Sequence, residues 1–187
     1  FINGANQGRF NFTYSGDMNG DGISNTDLIY VPNDASDLIF VANGNFTPED
    51  QAAAYNAFID QDDYLSTRRG EYAERNGVLM PMVWRADFSI SQEFFVTTGS
   101  NRNTLQLRAD ILNVGNLINR DWGVGNQVIN ARPLAFAGLD DDGVPTLRMQ
   151  TTGSGDSLKL IDSTYQKSAN IASDVYRIQL GIRYTFN

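Results

Sequence analysis

The sequence predicts an all-β chain: the last four antiparallel strands of a transmembrane β-barrel, with two long extracellular loops, the first carrying short helices. Three observations carry this reading. Several segments alternate apolar and polar residues at period two, as a strand with two unlike faces does. In the longer segments the alternation persists over about ten residues, near the nine to eleven that a tilted strand needs to cross a bilayer. The connections also differ sharply in length, one short and polar, its neighbours long, as barrel turns and external loops do.

The strands are expected at about 8–16, 83–98, 103–114 and 173–186, with the loops at about 17–82 and 115–172. The first holds Arg9-Phe10-Asn11-Phe12-Thr13-Tyr14, its aromatics on one face. In the second, Trp84, Ala86, Phe88, Ile90, Phe94 and Val96 oppose Arg85, Asp87, Ser89, Ser91 and Glu93, with Gln92 interrupting the apolar side. The third sets Leu105, Leu107, Ala109 and Ile111 against Gln106, Arg108 and Asp110. The last sets Tyr176, Ile178, Leu180, Ile182, Tyr184 and Phe186 against Arg177, Gln179, Gly181, Arg183 and Thr185. A soluble sandwich produces the same alternation. Aromatics at the strand ends, where interfacial belts place them, favour the barrel.

With the short turn between 98 and 103 at the periplasmic rim, the strands run up, down, up and down. The C-terminus then falls in the periplasm. Four strands cannot close a barrel, since about eight is the smallest number that does, and open edges are not tolerated in lipid. The remaining barrel strands are therefore expected to precede Phe1.

Inside the first loop, Thr47-Pro48-Glu49-Asp50 supplies a capping hydroxyl, a proline at the first helical position and acids in the first turn. A helix is expected over Gln51–Ile59, and a second from Asp63 to Arg75, ended by Asn76-Gly77. In the second loop, Arg132–Ala137 and Thr146–Gln150 flank Asp140-Asp141-Asp142-Gly143 as a small hairpin. The glycine- and serine-rich stretch from Thr151 to Asp156 is expected to be mobile.

Composition excludes several functions. The net charge of -8 argues against nucleic acid as a partner. A chain that is 41% hydrophobic is too apolar for a disordered tail. There is no histidine and no cysteine. Ser-His-Asp catalysis, thiol chemistry and zinc sites built from those ligands are therefore ruled out, and no enzyme is expected. No run of about eighteen apolar residues suggests a spanning helix, and a mean hydropathy of -0.34 is uninformative for strands that alternate.

The sharpest local motif runs from Asp17 to Asp27. Asp17, Asn19 and Asp21 offer side-chain oxygens at alternate positions, Gly22 permits a tight turn, Ile23 offers its carbonyl and Asp27 a closing carboxylate. A structural Ca2+ ion is one reading. The acid closes one residue early for an EF-hand, and Leu28 stands at the twelfth position. The other reading is a metal-free Asn/Asp/Gly turn. Asp140 to Asp142 read as a solvated hairpin tip. Arg68, Arg69 and Arg75 are expected to make loop ion pairs, worth little where exposed. The charges of Arg85, Asp87, Glu93, Arg108, Asp110, Arg177 and Arg183 are expected to line the barrel interior.

The terminal Gln179-Leu180-Gly181-Ile182-Arg183-Tyr184-Thr185-Phe186 resembles the outer-membrane assembly signal, with Asn187 after the aromatic as a small departure. Gly16-Asp17-Met18-Asn19-Gly20-Asp21-Gly22, Asp27-Leu28-Ile29-Tyr30-Val31-Pro32, the segment Arg68 to Gly77 and the segment Arg108 to Asn116 resemble, in order and spacing, TonB-dependent outer-membrane receptors of the Oar-like branch common in Bacteroidetes. The resemblance implies a barrel of about 22 strands occluded by an N-terminal plug, importing a scarce nutrient. It implies as partners outer-membrane lipid, the plug and remaining strands of the same receptor, TonB through a region N-terminal to this one, and a surface lipoprotein. The alternative is a calcium-binding surface protein or adhesin-type soluble β-sandwich module.

Overall fold

The structure, a computed structural model, describes residues 2–6, 8–168 and 174–186. The expected strand start at 173, the stretch 169–172 of the second expected loop, and Asn187 lie outside the described residues. Strand accounts for 41% of the chain and helix for 16%, and the ladders between its strands are antiparallel. The chain folds as two units, one of residues 1–7, 81–126 and 167–187, the other of residues 8–80 and 127–166.

The first unit is a meander. Strand β1 (Ile2–Asn6) pairs with β2 (Met82–Ala86). After Asp87, β3 (Phe88–Thr98) turns into β4 (Asn101–Leu112), which pairs in turn with β5 (Arg177–Thr185). Thr98 stands opposite Asn101, so the turn is the two residues Gly99-Ser100. Gly99 has φ +66°, which glycine adopts without strain at the first central position of a tight hairpin. At the other end Asn6 meets Met82 and Leu112 meets Arg177. Both long excursions of the chain thus leave from one end of the meander and the short turn lies at the opposite end. Strands β3 and β4 are 11 and 12 residues long.

The second unit is built from those two excursions and has a core of its own. Phe12, Tyr14, Ile29, Val31, Tyr55, Phe58, Ile59, Leu65, Leu134, Leu147, Met149 and Ile161 are buried there. Helix α1 (Pro48–Gln61) starts as its sequence predicts: Thr47 and Asp50 form a reciprocal capping box with Pro48 behind the cap. Its buried face includes Gln51, which is fully satisfied. The Gln51 amide donates to the Val41 carbonyl at 2.8 Å, and its oxygen accepts from Met149 N at 2.9 Å. The hairpin also forms, as Leu134–Leu139 paired with Pro145–Met149. Asp140 shapes its tip by accepting from the N–H groups of Asp142 and Val144 at 3.0 and 2.7 Å. Thr151–Thr152, in the stretch expected to be mobile, pairs with Lys159–Leu160.

Two expectations are corrected. The segment Arg9–Tyr14 is not an outward-facing strand. Only Arg9–Phe10 is strand, paired with Val78–Leu79, and Phe12 is fully buried. Its backbone is claimed from both sides: Ile29 N donates to Phe12 O at 3.2 Å, and Thr13 N to Ala131 O at 3.1 Å. Alternation reports that one face is sheltered, not by what. The stretch from Asp63 to Arg75 is likewise no α-helix. It makes a 3-10 turn at Leu65–Thr67, where Leu65 N donates to Asp62 at 3.0 Å, then the strand Glu71–Tyr72 paired with Tyr30–Val31. Gly70 breaks it, with φ +83° and its N–H held by Val31 O at 2.7 Å. Asn76, rather than Gly77, takes the left-handed conformation, at φ +54°.

Candidate functional site: a two-faced sheet and an external cavity

Directly opposed residues of an antiparallel ladder share a face, so the register sorts the side chains of β3, β4 and β5 into rows. On one face the rows are Phe88–Ile111–Ile178, Ile90–Ala109–Leu180, Gln92–Leu107–Ile182 and Phe94–Leu105–Tyr184. On the other they are Ser89–Asp110–Gln179, Ser91–Arg108–Gly181 and Glu93–Gln106–Arg183. Gln92, the interruption visible in the sequence, is the one polar member of the apolar rows.

The apolar rows are not covered. Leu180 and Ile182 are each 76% exposed, and Ile90, Phe94 and Tyr184 are more than half exposed. Among the described residues of this unit, Val83 is the only buried hydrophobic side chain; the hydrophobic core cluster belongs to the other unit. The polar face is knitted by side chains. Arg108 and Asp110 form an ion pair at 2.8 Å, Ser89 Oγ donates to Asp110 at 2.5 Å, and Gln106 donates to Glu93 at 3.2 Å. At the turn end, Tyr184 donates to Asn103 at 2.9 Å, and the Arg102 guanidinium stacks over the Phe95 ring at 4.3 Å.

The opposite end is closed by a polar knot. Arg85 pairs with the buried Asp174 at 2.6 Å and donates to Gly123 O at 2.9 Å; Gly125 N donates to Asp174 at 3.1 Å. Asp87 accepts from Asn113 N at 2.8 Å. Asn113 holds φ +52° and packs so tightly on Gly123 that a Cβ there would stand 2.0 Å from its oxygen. Arg85, Asp87, Arg108 and Asp110 are thus brought into local networks, while Arg177 and Arg183 occupy register positions opposite Leu112 and Gln106.

In the second unit, the loop 17–27 is held by hydrogen bonds from its own backbone. Asp17 accepts from Gly20 N and Gly22 N at 2.8 Å, Asn19 from Asp21 N at 2.9 Å, and Asp21 from Ile23 N at 2.7 Å. Asp27 accepts from Met18 N at 2.8 Å, which brings the two ends of the loop together. The Ile23 carbonyl accepts from Thr26 Oγ1 at 3.3 Å. Asp17, Asn19, Asp21, Ile23 and Asp27 are therefore neighbours, but the carboxylates are turned onto amides. Among the described residues no group of three or more acidic side chains converges.

Of Arg68, Arg69 and Arg75, which the sequence leads one to expect in loop ion pairs, two are paired. Arg68 meets Glu71 at 2.9 Å and Glu74 at 2.7 Å, and Arg69 meets Asp60 at 2.8 Å. Arg75 has no ion-pair or hydrogen-bond partner among the described residues. It borders a cavity of about 570 Å³ shared with Tyr14, Tyr72, Met18, Leu28 and Pro145. Burial raises the Tyr14 phenol above its ordinary range, against a hydrogen bond from Tyr30 N. Sequence reasoning missed this cavity because its walls come from three distant stretches of chain. No known family, curated protein or solved structure matches the chain.

Proposed function

We propose that the chain is barrel wall and extracellular mouth of a TonB-dependent nutrient importer, without enzymatic activity. In this reading β1 to β5 turn their apolar rows to outer-membrane lipid and their charged rows inward. The second unit is extracellular, and the C-terminus is periplasmic. The free edges of β1 and β5 pair with the remaining barrel strands around the plug, and TonB and a surface lipoprotein are the further partners. Calcium is a structural ion of the loop 17–27 in the same reading, helped by the closure of that loop through Asp27.

One observation carries the proposal: four successive rows of apolar side chains lie uncovered on a sheet in whose unit Val83 is the only buried hydrophobic side chain among the described residues. Each large apolar side chain left in water forfeits about 1.5–3 kcal/mol, and such a continuous patch marks a contact surface. Strands of 11 and 12 residues match the hydrocarbon thickness. The adhesin alternative draws support from the second unit, whose separate core suits a water-exposed module.

Fluorescence in lipid separates the two. With Trp122→Phe as background, Trp84 on the apolar face should be quenched by brominated phosphatidylcholine, and the chain should need detergent to stay dispersed. Leu107→Arg should cost about 2–4 kcal/mol of insertion, and Gln106→Arg, on the other face, much less. A chain that stays monomeric and unfolds cooperatively in plain buffer, with Trp84 unquenched, would overturn the membrane reading.

A further inference from the structure

We propose that the cavity bounded by Tyr14, Tyr72 and Arg75 binds a small ligand carrying a carboxylate on an apolar body. This does not rest on the membrane reading, because every residue lining the cavity belongs to the second unit.

Charge is the first argument. Of the three arginines in the segment 68–75, Arg68 and Arg69 are paired with acids. Arg75 alone of the three keeps its guanidinium without a partner among the described residues, at the edge of a cavity. Asp27 also borders that cavity, but its Oδ2 is occupied by Met18 N and Asn19 N at 2.8 and 3.3 Å.

A second donor lies deeper. Tyr14 is 3% exposed, and its hydroxyl accepts from Tyr30 N at 3.1 Å. Its own proton reaches no acceptor among the described residues, and burial keeps it in place. A phenol proton below and a planar guanidinium fork at the rim suit the two oxygens of a carboxylate.

Beside the polar Asn19, Thr26 and Asp27, the rest of the lining is apolar or aromatic. Leu28, Met18 and Pro145 share the cavity with Tyr72, whose ring is tilted against Tyr30 at 5.2 Å between centroids and which is 66% exposed. Bare inorganic anions gain nothing from such walls, whereas an aliphatic or aromatic body does. A peptide C-terminus and a medium-chain acid share this chemistry.

Calorimetric titration of the whole chain, folded in detergent micelles, tests the proposal with N-acetyl-leucyl-leucine and octanoate as probes. Each is compared with its amide, and inorganic phosphate is the control. At least one acid should bind about tenfold or more tightly than its amide, and which acid binds identifies the source. Arg75→Gln should weaken that binding by a similar factor, and Arg75→Lys should restore part of it. Arg75 is exposed and unpartnered, so these variants should fold as the parent does, checked by circular dichroism. The proposal fails if neither acid binds at millimolar concentration, if amide or phosphate binds as well, or if Arg75→Gln binds undiminished.

Discussion

Arg85 and Asp174 meet at 2.6 Å across 89 residues of sequence, tying the strand that enters the sheet to the segment that leads into its last strand. Asp174 is almost wholly buried, whereas the Arg85 side chain is one-third exposed. Removing Arg85 would leave a buried carboxylate short of its counter-charge, although Gly125 N would still donate to it. Arg85→Met should therefore cost about 2–3 kcal/mol, below the full loss for a dry pair. Denaturation in detergent, run as a double-mutant cycle with Asp174→Asn, measures the coupling. Additive effects would show that the pair contributes no coupling.

Phe12→Ala should destabilise the second unit by about 3–5 kcal/mol, because its ring is fully buried and contacts Phe10 and Phe58 edge-on at 5.1 and 6.4 Å. The outward strand that its sequence predicts would tolerate the change far better. The urea midpoint of the second unit, followed by tyrosine fluorescence, decides between them.

The start of α1 carries a pH dependence of known sign. The Thr47 N–H, then its hydroxyl, hold the Asp50 carboxyl below the ordinary carboxylate range. The Ser36 N–H, with Asn56 and the Ser36 hydroxyl, does the same for Asp34. Both groups bind protons less readily folded than unfolded. Their contribution is complete above the unfolded value of about 3.9 and is lost as pH falls through the folded one. The helical thermal midpoint should drop on acidification from pH 5 towards pH 3 (an approximate window), and less steeply in Asp34→Asn/Asp50→Asn. Thr47→Ala should cost about 1 kcal/mol at neutral pH.

Calcium at millimolar concentration should raise the thermal midpoint of the second unit, and magnesium should not, if the loop 17–27 takes an ion of extracellular-module affinity. Asp21→Asn should abolish the rise. An unchanged midpoint would leave the loop as a turn held by its own amides.

What was legible in the sequence is what local physics encodes. The rows of β3, β4 and β5 follow from period two, and the start of α1 from Thr47, Pro48 and Asp50. The hairpin follows from its Asp/Gly tip. What was hidden depends on distant partners. The alternation of Phe10, Phe12 and Tyr14 is the same whether lipid or protein shelters it, and only Ala131, Leu134 and Ile29 decide which. Helix formers between 63 and 75 yield to Gly70, whose N–H is claimed by Val31. Asp174 has no sequence signature, and neither does the cavity that Tyr14 and Arg75 both line, because Tyr14, Arg75 and Pro145 come from three separate stretches.

The bond from Met149 N to Gln51 spans 98 residues, and Asn43 reaches Met149 O across 106. Residues 8–80 therefore cannot complete their interior until 127–166 has been synthesised and delivered. During that interval Phe12, Phe58 and Tyr55 lack Leu134, Leu147 and Ile161. Contacts of such separation form slowly and leave sticky surface open meanwhile. Folding of this polypeptide should accordingly depend on a holding chaperone until the second excursion arrives. Truncation at residue 126 should yield a species that aggregates through its first excursion, even with its capped helix intact.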